Sequence, residues 1–328
     1  MQALTMTAPA PDGSTTALVD LDEPKPGPRE IAIDVARAGI NFIDVMARRG
    51  DAGYVSSWPF VPGLEVAGTV RSLGSEVSGL EVGQRVAAFT LGGGGLAEVA
   101  VASADLTVAA PSAVSFDVAA AVPLGVATAV LLLERAGLKH GESVLMHSAS
   151  GGIGALVSQV ASAMGSGERI GTVGRADKVA AGLAAGWDSV FPRDEQTEAR
   201  IREIAPHGVD VILDPTGSLL ELDLSVAAPG GRVVLFGNAT GGALPPMPPT
   251  GRLIGGNVGL LGFSISRLAS TSPATLTNAL KKGFQLIEAG TVRVETSAVD
   301  SLASVAEIHD LLAAGRGSGK YVVDVKGR

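Results

Sequence analysis

The chain has no cysteine in 328 residues. That excludes disulfides and any thiolate-bound zinc, and it fits a reducing compartment. Aromatic residues make up only 4%, so the core must be built from small and aliphatic side chains. Basic residues are outnumbered: 25 Lys and Arg against 33 Asp and Glu leave a net charge of −8. A nucleic-acid partner held by a basic surface is therefore not expected. The longest apolar run, Val118 to Leu133, contains Pro123 and Gly125 and falls short of the ~20 residues of a membrane span. It reads as a buried helix, and no membrane partner is expected. The opening Met1-Gln2-Ala3-Leu4-Thr5 lacks the basic-then-apolar layout of a signal peptide, so a cytoplasmic location is expected.

What is present is a globular composition with 46% hydrophobic residues, 18% charged residues and 44 glycines, and a length that suits two domains. The first third is rich in strands and turns, with strands expected at 1–6, 30–39, 66–73, 85–91 and 97–102. From about residue 118 strand and helix alternate: strands at 143–147, 169–173, 188–191, 209–213 and 232–236, with helices at 153–164, 176–185, 195–204 and 219–227. This alternation predicts a parallel sheet covered on both faces. After the proline-rich stretch 243–249, a strand is expected at 257–265, helices at 273–289 and 305–314, and a last strand at 320–325. A chain that enters one domain, crosses a second and returns places a ligand cleft between two lobes.

The strongest local signal is Ser148-Ala149-Ser150-Gly151-Gly152-Ile153-Gly154, set between an apolar strand and a small-residue helix. It is a dinucleotide-binding turn, Ala-x-Gly-x-x-Gly, with alanine in place of the first glycine. Glycines there let a pyrophosphate approach the backbone, and the helix N-terminus meets it with free N–H groups. The next strand ends Gly174-Arg175, with Lys178 one turn later, and no acidic residue stands at the strand end itself. Cations at that place suit a ribose 2′-phosphate, so NADPH is the expected cofactor. The turns Asp214-Pro215-Thr216-Gly217 and Phe236-Gly237-Asn238 end later strands on the same side, and Phe236, Gly237 and Asn238 are expected to contact the cofactor. The histidines His140, His147, His207 and His309 show no metal-ligand spacing and are assigned no chemistry.

Several segments carry a wider resemblance: Ala38 to Val45, Val61 to Val70, Gly79 to Val86, Val126 to Ala129, Ser148 to Gly154, Phe236 to Asn238 and Gly319 to Val323. In order and spacing the chain resembles the zinc-independent quinone oxidoreductase branch, zeta-crystallin-like, of the medium-chain dehydrogenase/reductase superfamily. The resemblance implies an α/β protein with a Rossmann-type, doubly wound parallel sheet inserted in a GroES-like bent β-barrel. The boundaries expected are 1–118 plus 264–328 for the catalytic domain and 119–263 for the NADPH-binding domain. It implies a homodimer joined through an edge strand near Asn257 to Leu261. Zinc members carry Gly-His-Glu where this chain has Gly63-Leu64-Glu65, and leucine cannot bind a metal, so no metal is expected.

The implied chemistry is hydride transfer from NADPH to a quinone or α,β-unsaturated carbonyl compound (an enone). Reduction of an enoyl thioester is the alternative, and a cofactor-bound binding protein without catalysis is a third reading. Thr128, Ser150, Gly151, Gly152, Ile153, Gly154, Gly174, Arg175, Lys178, Asn238, Phe263 and Lys320 would hold the cofactor. Asn41 would donate to the developing enolate oxygen, Asp44 would orient it, and Tyr54 would supply a proton. The substrate would lie near Asn41, Met46, Tyr54 and Phe263.

Overall fold

The computed structural model describes residues 1–327, and these divide into two compact units. The first comprises Met1–Ala127, Ile265–Gly290 and Val294–Arg328; the second comprises Thr128–Ser264 and Thr291–Arg293. Residues 119–127, expected in the cofactor domain, group with the first unit instead. The physical tie is the side chain of Glu65, which accepts backbone N–H bonds from Leu124 (2.7 Å) and Gly125 (3.3 Å).

The first unit opens with the hairpin-like pair β1 (Gln2–Met6) and β2 (Thr16–Asp20), then β3 (Glu30–Ile40), helix α1 (Phe42–Arg49), β4 (Glu65–Leu73), β5 (Arg85–Phe89), β6 (Val99–Ser103), β7 (Thr107–Ala109) and the short helix α2 (Phe116–Ala119). Strand β3 is its spine. It pairs antiparallel with β4 along one side, while β6 takes its first half on the other. Register shifts at Ala32/Ile33 and Val35/Arg37 mark bulges, which bend a sheet and sharpen its twist. The core between these strands is aliphatic, with Ile31, Ile33, Val35, Val66, Val86 and Leu96 fully or almost fully buried.

The apolar run is helical over Phe116–Ala136, with a π-helical turn at Val122–Val126 between α2 and α3 (Ala127–Ala136). At 21 residues it is long and apolar enough by composition to cross a membrane, contrary to the length argument from sequence. Its most apolar window is 83% buried inside the protein, as in a core helix.

The second unit continues with β8 (Val144–His147), α4 (Gly152–Ala163), β9 (Arg169–Val173), α5 (Val179–Ala184), β10 (Ser189–Pro192), α6 (Thr197–Ile204), β11 (Val209–Asp214), α7 (Leu220–Val226), β12 (Ala227–Leu235), α8 (Thr250–Gly256) and β13 (Gly259–Gly262). All six strands run parallel in the order β10-β9-β8-β11-β12-β13. Numbered within the unit this is 3-2-1-4-5-6, the doubly wound dinucleotide order whose switch point lies between its first and fourth strands, here β8 and β11. The strand expected at 257–265 is only four residues long, because Asn257 adopts φ 51 at the end of α8 and a helix begins at Ile265.

The chain then returns to the first unit as α9 (Ile265–Thr271), α10 (Pro273–Glu288), β14 (Thr296–Val299), α11 (Val305–Ala313) and β15 (Lys320–Asp324). Strand β15 pairs with the second half of β3, Tyr321 opposite Ile40, and carries parallel β14 on its other side. This closing strand sets the C-terminal segment against the end of β3, from which α1 starts.

Candidate active site and nucleotide site

Two polar constructions stand out, one in each unit. In the first unit, β3 ends at Ile40 and Asn41 begins α1 with extended backbone (φ −134, ψ 157). Its backbone N–H donates to Asp44 Oδ2 (2.9 Å), the acidic half of a capping box, and Asp44 Oδ1 accepts from the Gly63 N–H (3.1 Å). Both Asp44 oxygens are thus acceptors, and the side chain is only 2% exposed.

The amide of Asn41 donates to Glu65 Oε1 (2.9 Å) and to the Gly39 carbonyl (3.2 Å), while its oxygen accepts from Lys320 Nζ (2.7 Å). An ammonium on one side and a carboxylate on the other fix which way the amide points. Lys320 also donates to the Ile40 carbonyl (3.1 Å) and forms a short ion pair with Glu65. Glu65 is fully buried and Lys320 is 4% exposed. The arrangement requires glycine at 39, since a Cβ there would stand 2.3 Å from Glu65 Oε1.

This geometry bears on three expectations. Lys320, expected at the cofactor, has its three donors engaged within β3, α1 and β4 and serves as the counter-ion of Glu65. Asn41 has both amide hydrogens engaged in the free protein, so donating to a substrate oxygen would mean exchanging one of these bonds. Met46, expected near the substrate, is 5% exposed on α1. Glu65 was missed from sequence, although its place in Gly63-Leu64-Glu65 had been noted. Tyr54 lies half-buried in the turn after α1. Burial, and the Asp51 carboxylate second, push its phenol above the ordinary value, so it stays protonated.

Burial also raises the Asp44 carboxyl to about 6, despite its two N–H bonds and Lys320, with Glu65 adding to the rise. Beside it, at 4.0 Å, His309 is pushed down to about 3 by burial and the nearby Arg48 cation, so it is neutral and no counter-ion. The folded state therefore holds the Asp44 proton more tightly than the unfolded chain does. Stability is lost as pH rises from the unfolded value near ~4 to about 6, by roughly 3 kcal/mol in order of magnitude. Urea unfolding of wild type and Asp44→Asn at about pH 4 and about pH 7.5 checks this. Wild type should lose stability relative to the variant on going to the higher pH, and a pH-independent difference would contradict the assignment.

In the second unit, the C-terminal ends of the parallel strands collect most of the expected cofactor residues along one edge: 148–154 after β8, Gly174 and Arg175 after β9, and Phe236, Gly237 and Asn238 after β12, with Phe263 after β13. Lys178 follows Arg175 in a 3-10 turn, and Thr128 stands on α3. The β8–α4 turn is tight. Ser148 has φ 61, and a Cβ on Gly154 would stand 2.6 Å from both the Ser148 and Ala149 carbonyl oxygens. Gly151 caps α4 without a side chain, leaving the first-turn N–H groups of Gly152, Ile153 and Gly154 without intrahelical partners. Alanine replaces the first glycine because Gly171 makes room: a Cβ there would meet the Ala149 methyl at 2.5 Å. The indole N–H of Trp187 ties the turn down by donating to the Ala149 (3.1 Å) and Gly154 (3.2 Å) carbonyls.

A ligand is consistent with two further observations. Thr128 is 3% exposed and its Oγ1 has no hydrogen-bond partner among the described residues. Arg175 is exposed and forked onto Asp177 (Nε 3.0 Å, Nη2 2.7 Å), an exposed pair of the kind that contributes little and exchanges readily. His147 is fully buried and bonded at both ring nitrogens, which accounts for it without a surface role.

The family description "Alcohol dehydrogenase GroES-like domain" matches residues 27–112, and "Zinc-binding dehydrogenase" matches residues 152–282. In that order they define a dehydrogenase/reductase of the medium-chain class. Quinone oxidoreductase of Pseudomonas aeruginosa is 34% identical over 316 residues, covering 93% of this chain and 94% of that protein. The structure of Escherichia coli quinone oxidoreductase complexed with NADPH superposes with a TM-score of 0.89 at 29% identity, covering 99% of this chain and all of that one. The human synaptic vesicle membrane protein VAT-1 homolog-like is 36% identical over 218 residues, 66% of this chain and 51% of that protein. The chain belongs to the quinone oxidoreductase family of the medium-chain dehydrogenase/reductase superfamily.

The zinc in the second family description does not fit these residues. The chain has no cysteine, Leu64 stands beside Glu65, and among the described residues no three His, Asp or Glu side chains group to hold a metal ion.

Proposed function

We propose that this protein is a metal-independent, NADPH-dependent oxidoreductase that reduces quinones or α,β-unsaturated carbonyl compounds. The observation that carries the reading is the β8–α4 turn at the switch point of the sheet, where Gly154 admits no side chain and the first N–H groups of α4 face outward for a pyrophosphate. The names of the relatives from Pseudomonas aeruginosa and Escherichia coli support it. Ser150 to Gly154 would hold the pyrophosphate, and Thr128, Gly174, Lys178, Phe236 to Asn238 and Phe263 would border the nucleotide.

When bound, NADPH supplies the hydride. The substrate carbon that receives it must be electron-poor, and the oxygen at the far end of the conjugated system gains negative charge, which N–H or O–H donors stabilise. In the first unit the longer bond of the Asn41 amide, to Gly39, is the one available for exchange with that oxygen. Asp44 holds the Asn41 backbone, and Tyr54, protonated at neutral pH, is the candidate proton source. Lys320 and Glu65 keep the Asn41 amide in a single orientation.

The test is NADPH oxidation with a panel of quinones, enones and enoyl thioesters. Saturable turnover of a quinone or enone is expected. Turnover of thioesters alone would move the assignment to enoyl reduction, and tight NADPH binding with no turnover would leave a binding protein.

A homodimer through the second unit completes the proposal. Strand β13 closes one edge of the six-stranded sheet, and the segment before it exposes Leu244 (54%), Met247 (67%) and Ile254 (77%). An open edge beside apolar side chains suits a second copy. Sedimentation of Met247→Asp/Ile254→Asp should show a monomer where wild type is dimeric; a wild-type monomer would contradict it.

A further inference from the structure

A buried line of polar side chains runs beneath the nucleotide edge of the second unit and ends in a cation that, among the described residues, forms no ion pair. Asp223, fully buried on α7, bonds through Oδ1 to His147 Nε2 at 2.7 Å. Across the imidazole, His147 Nδ1 bonds to Thr172 Oγ1 at 2.7 Å, and Thr172 on β9 is also fully buried. The carboxylate accepts from Nε2–H, so Nδ1 is the acceptor and the threonine hydroxyl donates to it. The hydroxyl oxygen then has its lone pairs free for one more donor. That donor is Arg193 Nη1, at 3.3 Å.

Arg193 follows directly on β10, its backbone N–H donating to the Val173 carbonyl at 2.8 Å. Its other terminal nitrogen, Nη2, stands 3.2 Å from the place a Cβ would occupy on Gly174. Its guanidinium is half-buried and, among the described residues, has this single side-chain hydrogen bond and forms no ion pair. Asp214 acts on it by charge, with no hydrogen bond to it: Asp214 Oδ1 accepts from the Thr216 N–H (2.7 Å) and hydroxyl (2.6 Å), and Oδ2, among the described residues, has no hydrogen-bond partner. By contrast, the fork of Arg175 is already filled by Asp177. A half-buried guanidinium with no anion bonded to it, over the end of the second strand of a dinucleotide fold, stands where that fold selects the ribose substituent.

We propose that Arg193 binds the 2′-phosphate of NADPH and sets the preference for NADPH over NADH, and that Thr172, held by His147 and Asp223, is the residue that positions it. This rests on the nucleotide reading given above and replaces Arg175 as the principal phosphate contact. The device is a row of hydrogen bonds that fixes one χ-flexible side chain before the ligand arrives, so less side-chain freedom is lost on binding.

Binding of NADPH and NADH, followed by nicotinamide fluorescence, tests it, with 2′,5′-ADP and 5′-AMP as competitors that isolate the phosphate. Arg193→Met should weaken NADPH and 2′,5′-ADP by about 10- to 100-fold while leaving NADH and 5′-AMP within about twofold. Arg193→Lys should retain part of the preference and Arg175→Met most of it. Thr172→Val, nearly isosteric, should lose about threefold or more in NADPH alone, and Thr172→Ser should restore it. Equal loss of both nucleotides in Thr172→Val would show a structural role and overturn the positioning claim. A preference that survives Arg193→Met overturns the Arg193 assignment while the NADPH reading stands. Wild type with no preference for NADPH overturns both.

Discussion

Lys320→Met is expected to destabilise the first unit by about 3–5 kcal/mol. The buried carboxylate of Glu65 would keep the Asn41 amide and two backbone N–H groups but lose its cation. An isolated buried charge costs far more than its pairing contributes, because desolvation is not offset. The double variant Lys320→Met/Glu65→Gln should recover about 1–2 kcal/mol of that loss, since Asn41 can turn its amide over and accept from the new glutamine. Equilibrium unfolding in denaturant measures both. A loss below about 1 kcal/mol would mean the pair behaves like an exposed one, which contradicts its burial. Loss of turnover with cofactor affinity retained would further separate the role of Lys320 from nucleotide binding.

The second large effect concerns Gly154. With Val at 154, the new Cβ falls 2.6 Å from two carbonyl oxygens of its own turn, and that backbone must move for it to fit. The turn would open, the Trp187 bonds to Ala149 and Gly154 would be disturbed, and NADPH affinity should fall by about 100-fold or more. Gly251→Ala, at a helical glycine with nothing within 4 Å of an added Cβ, should bind as wild type does. Fluorescence of Trp187, one of only two tryptophans, reports the local change. Undiminished binding by Gly154→Val would show that the nucleotide does not use this turn.

How much of this was legible in the sequence depended on the distance over which each feature is written. The β8–α4 turn is local, as are the alternating strands and helices around it, and all were readable from period and glycine placement. The Glu65 network is not local. It joins Asn41, Glu65 and Lys320, residues up to 279 apart, and exists only because β3 pairs β4 on one side and β15 on the other. No spacing rule in a single sequence connects those positions. Arg193 escaped notice for a related reason. It stands beside Gly174 because β10 pairs parallel to β9 with Pro192 opposite Val173, a register that sequence does not print.

The errors of extent also have physical causes. The apolar stretch 257–265 reads as one strand, but a left-handed Asn257 and the start of α9 cut it to four residues. Strand β12 begins five residues earlier than expected, since a register shift between Val209 and Val211 lets Ala227 rejoin the ladder ahead of Arg232. Helix α8 lies in a stretch, 250–256, to which the sequence assigns no element, because Gly251, Gly255 and Gly256 are poor helix formers and nothing in it is buried.

The central claim is that this chain transfers hydride from NADPH to a carbon made electron-poor by a conjugated carbonyl, without a metal. The direct measurement is to supply NADPH deuterated at C4, on the transferred face, to the purified protein in excess chelator with an enone. Mass spectrometry of the saturated product should find one deuterium at the β-carbon, the α-hydrogen coming from solvent. Product carrying no deuterium, or activity that disappears with the chelator and returns with added zinc, would contradict the account.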